Sequence, residues 1–363
     1  MKNVAIITIY DDSNLGNRFQ NYAVQKLIEK RGYECRTLIN VKRYLFRGLK
    51  SRIVAFLGFP KKVADKKRFI FKMESVIRKF SEKYIRQGEV IRFRDACKIA
   101  ESYDYYITGS DQVWHNWSGT DNELSYFFLR FVPPHKRLCI SPSFGRETVP
   151  ENLRQQYIYG LNGFKHLSCR EESGCRLIKE LTGRNAVLLC DPTMALTSEQ
   201  WDEISTKPSF ELPEKYILTY FLGDAPEAAI EYVKEISEKE GLPVINLYNM
   251  DYPEYLSVQP DEFLYLVKHA EHFCTTSFHG CVFSIIYHTP FSVFERNDLK
   301  GMHGRIDTLL KKFGLESCSA DNDDFGKQCD FSVVDNILEA ERARMYDYLE
   351  MIFADAEKGE DVQ

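Results

Sequence analysis

Ser277, His279 and Gly280 fall close together in the run Cys274-Thr275-Thr276-Ser277-Phe278-His279-Gly280-Cys281. A hydroxyl, an imidazole and a glycine at that spacing suit proton transfer beside an anion, because histidine exchanges its proton near neutral pH. The flanking pattern explains why such a site would form here. His272 to Thr276 reads as the end of a buried strand. Gly280 to Tyr287 reads as an apolar helix that stops before Pro290, which cannot continue it. A polar turn between strand and helix places side chains and backbone N–H groups at a helix N-terminus, where anions bind. The same residues also fit a capping serine and a buried histidine beside a core helix.

The elements around this run repeat one pattern. Val4 to Tyr10 predicts a strand, Asp11 to Asn17 a polar loop, Arg18 to Arg31 an amphipathic helix and Glu34 to Asn40 a second strand. That is a βαβ opening of Rossmann type, but its loop is not GxGxxG, so no dinucleotide is indicated. Later strands are predicted at Tyr105 to Thr108, Arg137 to Ser141, His166 to Cys169 and Ala186 to Cys190. Each delivers a polar turn: Gly109-Ser110-Asp111, Pro142-Ser143-Phe144-Gly145, Arg170-Glu171-Glu172 and Asp191-Pro192-Thr193. In an open α/β sheet those turns share the ligand-binding edge. After a connecting stretch from Thr197 to Lys215, anchored by Trp201, a second unit of the same kind begins at Tyr216. Phe331 to Phe353 predicts a long terminal helix. The expected organisation is α/β: a Rossmann-like domain over 1–195, a second over 213–325, and a helix over 330–355 packing back on the first.

Composition bounds the function. A chain of 363 residues with a 44% hydrophobic share can bury two cores. No apolar run reaches the roughly 18 residues of a membrane span. The apolar N-terminus lacks a small-residue cleavage site and reads as a strand. Ten cysteines occur without a CxxC pair, and His269, His272 and Cys274 match no common zinc spacing. No metal is expected, and reduced cysteines point to the cytoplasm. The net charge is −5, yet residues 41–95 carry 17 Lys or Arg against 5 Asp or Glu. Those cations alternate with Tyr44, Leu45, Phe46, Phe56, Leu57 and Phe59, which suits peripheral contact with an anionic membrane. The acidity of the remainder and the lack of any nucleic-acid signature argue against nucleic acid.

Six separated runs together resemble the polysaccharide pyruvyl transferases. They are Asn14-Leu15-Gly16-Asn17-Arg18-Phe19-Gln20-Asn21-Tyr22-Ala23, Gly109-Ser110-Asp111-Gln112-Val113-Trp114, Ser143-Phe144-Gly145, Arg170-Glu171-Glu172-Ser173-Gly174, Asp191-Pro192-Thr193 and Ser277-Phe278-His279-Gly280. They fall in the family's order over roughly residues 3 to 315. The resemblance implies a GT-B-like fold, two Rossmann-like domains facing a cleft. It also implies transfer of a pyruvyl group from phosphoenolpyruvate to two hydroxyls of a sugar, as a cyclic ketal. No cofactor is implied beyond phosphoenolpyruvate as co-substrate. The acceptor would be a glycan or a lipid-linked oligosaccharide of the cell envelope.

By that resemblance His279 is the general acid and Arg170 grips the donor. Ser277 and the N–H groups near Gly280 face the donor phosphate. Better-studied members carry an arginine two positions before the histidine, where this chain has Ser277. Arg305, or Arg296 before it, is the expected replacement cation, with His303 close by. Asp111 orients or deprotonates an acceptor hydroxyl, or else caps a helix. Asn14, Asn17 and Gln20 bind sugar hydroxyls, with Asn14 equally suited to cap the first helix. Trp114 and Trp117 stack on a sugar ring or belong to the core. Two other functions fit the same scaffold: a GT-B glycosyltransferase using a nucleotide sugar, and a non-catalytic glycan-binding protein.

Overall fold

The computed structural model describes residues 2–10, 14–40, 61–249, 251–296, 304–327 and 329–360. Lys42, Arg43, Arg47, Lys50, Arg52 and the aromatics interleaved with them lie outside the described residues, as does His303. The chain forms two compact units. The first is Met1–Pro60, Ser81–Ala195 and Ala340–Gln363, and the second is Lys61–Phe80 and Leu196–Glu339.

In the first unit the strands are β1 (Asn3–Ile7), β2 (Glu34–Asn40), β3 (Gln87–Ile91), β4 (Tyr105–Asp111) and β5 (Arg137–Pro142). They pair in parallel in the order β3-β2-β1-β4-β5. Val4 lies opposite Cys35 on one side and Tyr105 on the other. Val4, Ala5, Ile6 and Ile7 are all buried, as expected of a central parallel strand covered on both faces. The order reverses between β1 and β4, and in open sheets that switch point is where ligands sit, beyond the strands' C-terminal ends. A two-stranded extension, β6 (Ser168–Cys169) and β7 (Val187–Leu188), adds further turns.

The helices are α1 (Leu15–Glu29), α2 (Lys61–Tyr84), α3 (Asp121–Phe127), α4 (Arg154–Asn162) and α5 (Glu172–Thr182). α1 starts three residues before the expected Arg18. It buries 13 of its 15 residues, among them Asn17, Arg18, Gln20 and Asn21. A helix that buries polar side chains must give each of them a partner, and those partners define the site below. β3 was not expected: Gln87-Gly88-Glu89-Val90-Ile91 is too polar to read as a strand, and it forms an edge. Most of α2 groups with the second unit, although 41–95 reads as an insertion in the first domain.

The second unit contains β8 (Ile217–Tyr220), β9 (Val244–Asn246), β10 (His272–Thr275) and β11 (Phe291–Val293), parallel in the order β11-β10-β8-β9. Its switch point lies between β8 and β10. The helices α6 (Ser198–Asp202), α7 (Glu227–Glu240), α8 (Pro260–Lys268), α9 (Phe278–Tyr287) and α10 (Gly304–Phe313) complete it. The stretch read as a connector holds α6, started by a reciprocal Thr197–Gln200 capping box. The last helix, α11 (Val334–Glu360), begins in the second unit and continues in the first. There Phe353 stacks on Tyr33 at 4.5 Å, and Tyr348 Oη donates to the Cys139 carbonyl at 3.1 Å.

No disulfide forms among the described residues. No described group of three His, Cys, Asp or Glu could hold a metal ion. No described helix is long and apolar enough to cross a membrane.

Candidate active site

At the first unit's switch point, β4 ends on Asp111, which takes a left-handed φ of 72°. An aspartate tolerates that region better than most residues. The turn aims the carboxylate back across the end of β1. Asn17 Nδ2 donates to Asp111 Oδ2, and Arg18 Nη2 donates to Asn17 Oδ1 at 3.2 Å. Arg18 itself is fully buried, donates to the Ile9 carbonyl at 2.7 Å and lies 4.1 Å over the Tyr10 ring. Gln20 bridges the two strands: its Oε1 accepts from Ser110 N at 3.0 Å and its Nε2 donates to Thr8 Oγ1 at 2.7 Å. Gln20 thus fixes the approach of β1 to β4, and its amide is engaged at both ends. Asn14 occupies the N-cap position of α1, is exposed, and makes no capping bond through its side chain.

On the other side of Asp111 lies Arg170, whose side chain is only 3% exposed. Its Nη1 is 2.5 Å from Asp191 Oδ2 and its Nη2 is 3.5 Å from Asp111 Oδ1. Burial alone would pull the guanidinium's pKa down, but Asp191, Asp111 and Glu171 together outweigh it and hold the pKa above its ordinary value. Asp191 is saturated, since its other oxygen accepts from Thr193 N at 3.1 Å and Thr193 Oγ1 at 2.7 Å. Glu171 accepts from Ser143 Oγ at 3.0 Å and Phe144 N at 2.8 Å. Asp111 is different: its side chain keeps 12% exposure against none for Asp191. It is therefore the carboxylate of this cluster that faces outward.

Arg170 is nearly buried and lies against two carboxylates, Asp191 and Asp111. One expectation needs correction here. Trp114 does not face a sugar: it is 0% exposed and packs against Phe128, Phe144 and Phe164 at 5.3–6.0 Å. Trp117, three positions on, is 52% exposed.

In the second unit, Ser277 is the N-cap of α9 and its Oγ accepts from Gly280 N at 3.2 Å. The helix therefore starts two residues before the expected Gly280, and His279 lies in its first turn. The Gly280 N–H is taken by the cap. Gly280 is required sterically as well, because a Cβ there would meet Thr275 Oγ1 at 2.8 Å. Thr275 Oγ1 donates to the Tyr220 carbonyl at 2.7 Å and Leu222 N donates to Thr276 Oγ1 at 2.8 Å. These bonds tie the ends of β8 and β10 together at the switch point. His279 is half-buried, its ring edge-on to Phe278 at 5.3 Å. The Arg305 guanidinium, at the start of α10, lies 5.7 Å over the same Phe278 ring. The structure thus brings Ser277, His279, Gly280 and Arg305 to one edge of the second sheet. It brings Asn17, Gln20, Asp111 and Arg170 together in the first unit. Asp191, Glu171 and Arg18 complete that cluster, and all three stand inside the runs quoted above without a role assigned to them.

The family model described as polysaccharide pyruvyl transferase matches residues 14–298. No curated protein matches the chain. Among solved structures, a putative UDP-N-acetylglucosamine 2-epimerase from Listeria monocytogenes is similar at 10% identity and a TM-score of 0.51, covering 95% of this chain and 97% of that one. The S. aureus MnaA–UDP co-structure is similar at 9% identity and a TM-score of 0.50, covering 95% and 90%. Likeness at this identity shows a shared GT-B-like fold.

Proposed function

This chain belongs to the polysaccharide pyruvyl transferase family, and we propose that it moves a pyruvyl group from phosphoenolpyruvate onto two hydroxyls of a glycan. The observation that carries the reading is the grouping of His279 with Arg305 around Phe278 at the edge of the second sheet. An enolpyruvate phosphate needs a proton source and a cation, and Arg305 supplies the cation that Ser277 does not.

His279 gives a proton to the methylene carbon of the donor, leaving an oxocarbenium-like carbon. One sugar hydroxyl attacks that carbon. The second hydroxyl replaces the phosphate and closes the ketal. Two hydroxyl protons are lost in all: one restores the acid, and the other balances the departing phosphate. Asp111 is suited to orient or deprotonate an acceptor hydroxyl, because Asn17 and Arg170 fix it while part of it stays exposed. Arg170 acts through Asp111 as a positioning residue. An arginine suits that task, since its planar fork reaches two carboxylates at once.

A thermal-shift measurement separates this reading from its rival, because a ligand that binds only the native state raises the midpoint. Phosphoenolpyruvate is expected to raise it, and Arg305→Gln to remove the effect. The S. aureus relative in fold is a UDP co-structure. A shift with UDP and none with phosphoenolpyruvate would replace the proposal with a nucleotide-sugar glycosyltransferase.

A further inference from the structure

We propose that the loop after β4 carries a subsite for an anionic sugar, built from Trp117, His115 and Arg146 of the first unit. The proposal rests on the reading of the chain as a transferase acting on glycans, and names the class of acceptor.

Three tryptophans occur in the chain. Trp114 and Trp201 are 0% exposed, whereas Trp117 is 52% exposed. One face of its indole is covered by His115, whose ring lies 4.0 Å away and tilted by 30°. The loop beneath is held firmly. Glu123 is buried and accepts from Trp117 N at 3.2 Å and Ser118 N at 2.5 Å. Asn116 is buried with a φ of 59°, and its Oδ1 accepts from Thr120 N at 3.2 Å. Thr120 in turn caps α3. An aromatic fixed in this way binds without first losing conformational freedom.

The charge beside it has no carboxylate paired with it among the described residues. His115 Nδ1 is 2.9 Å from the Phe144 carbonyl oxygen and 3.4 Å from Arg146 Nε. His115 Nε2 lies 2.7 Å from Arg146 Nη2, so the guanidinium is held against the imidazole at both ring nitrogens. The side-chain partner of Arg146 among the described residues is this imidazole, and no described carboxylate forms an ion pair with it. Arg170, by contrast, faces three carboxylates. An open indole with a partly buried arginine next to it fits a pyranose ring bearing a carboxylate or phosphate: the ring's C–H face stacks and the anion meets the planar fork. The loop leaves the same strand end as Asp111, so the two features belong to one edge of the sheet. Both a uronic acid within the glycan and a phosphate linking a glycan to its carrier have this chemistry.

The test uses the full chain without donor, so that it reads binding and not turnover. The probes are a glucuronate-containing tetrasaccharide, a neutral glucose tetrasaccharide and a sugar joined through diphosphate to a short polyprenol. Affinity is measured by calorimetry, and acrylamide quenching of tryptophan emission reports on Trp117 because the other two indoles are buried. At least one anionic probe is expected to shield Trp117 and bind about tenfold or more tighter than the neutral one. The two anionic arms distinguish carboxylate from carrier phosphate. Arg146→Gln should erase that preference and Trp117→Ala should weaken both kinds of saccharide, while Trp117→Phe retains binding. Equal binding of charged and neutral probes, an unchanged preference in Arg146→Gln, or no shielding by any probe would overturn the subsite. Failure of phosphoenolpyruvate turnover with this binding intact would count against the transferase reading alone.

Discussion

The ends of β4 and β10 occupy equivalent places, each at the reversal of strand order in its own parallel sheet. Their chemistry differs. At β4 the polar groups close on one another: Arg170 is paired with Asp191 and Asp111, and Asn17 with Asp111. At β10 the bonds run mainly through hydroxyls: Ser277 accepts from Gly280 N, Thr275 donates to the Tyr220 carbonyl and Thr276 accepts from Leu222 N. A hydroxyl cap starts a helix, and His279 stands in its first turn. One scaffold thus builds a buried cluster of paired charges in one unit and a hydroxyl-capped helix start carrying a histidine in the other. The first should respond to mutation mainly through stability, the second mainly through turnover.

Arg170→Met tests that contrast most severely. It leaves Asp191 and Asp111 buried without their cation, and breaking a buried pair in this way costs about 3 kcal/mol or more. Denaturant unfolding should show a lowered first-unit transition; an unchanged curve would mean that the cluster is not a support. His279→Gln should do the reverse. Turnover should fall about 10²-fold, the scale of a positioned acid, with the melting temperature nearly constant. Near-normal turnover would make His279 structural and remove the contrast.

Acid provides a third probe, confined to the second unit. Burial pushes the His272 imidazole down to about 4 from 6.5. The native ring is therefore neutral where the unfolded chain already binds a proton. Stability that is present above pH 6.5 is lost as pH falls through the window toward about 4. Between pH 7 and 5 the wild type should lose on the order of 2 kcal/mol more than His272→Phe. Parallel pH profiles of the two proteins would refute this. The smallest effect is at the cap: Ser277→Ala should cost about 1 kcal/mol of helix stability, and Ser277→Asp should restore it. Equal melting of all three proteins would show that the cap does not matter.

Much of this was legible in the residues. Glu34–Asn40 forms the strand that its apolar run predicts, and Glu227–Glu240 ends as a helix where Gly241 takes a left-handed φ of 66°. The parallel order of the sheets followed from strands alternating with helices. What was hidden has physical causes. A polar edge strand such as β3 has no pattern to reveal it. Trp114 and Trp117 could not be told apart because Asn116, at a φ of 59°, breaks any regular periodicity between them. The pairing of Arg170 with Asp191 was not legible, because the two lie 21 positions apart on different turns. α9 starts two residues before the expected Gly280, because Ser277 is the cap, which the sequence also allowed.

The central claim is that this chain transfers a pyruvyl group from phosphoenolpyruvate. Its most direct test is to incubate the chain with phosphoenolpyruvate and a panel of free and lipid-linked glycans, measuring phosphate and the acceptor's mass together. The account predicts one phosphate released for each carboxyethylidene ketal gained, with both signals dependent on His279. Phosphate release without any change in acceptor mass, or no release with any acceptor while a nucleotide sugar is consumed, would contradict it.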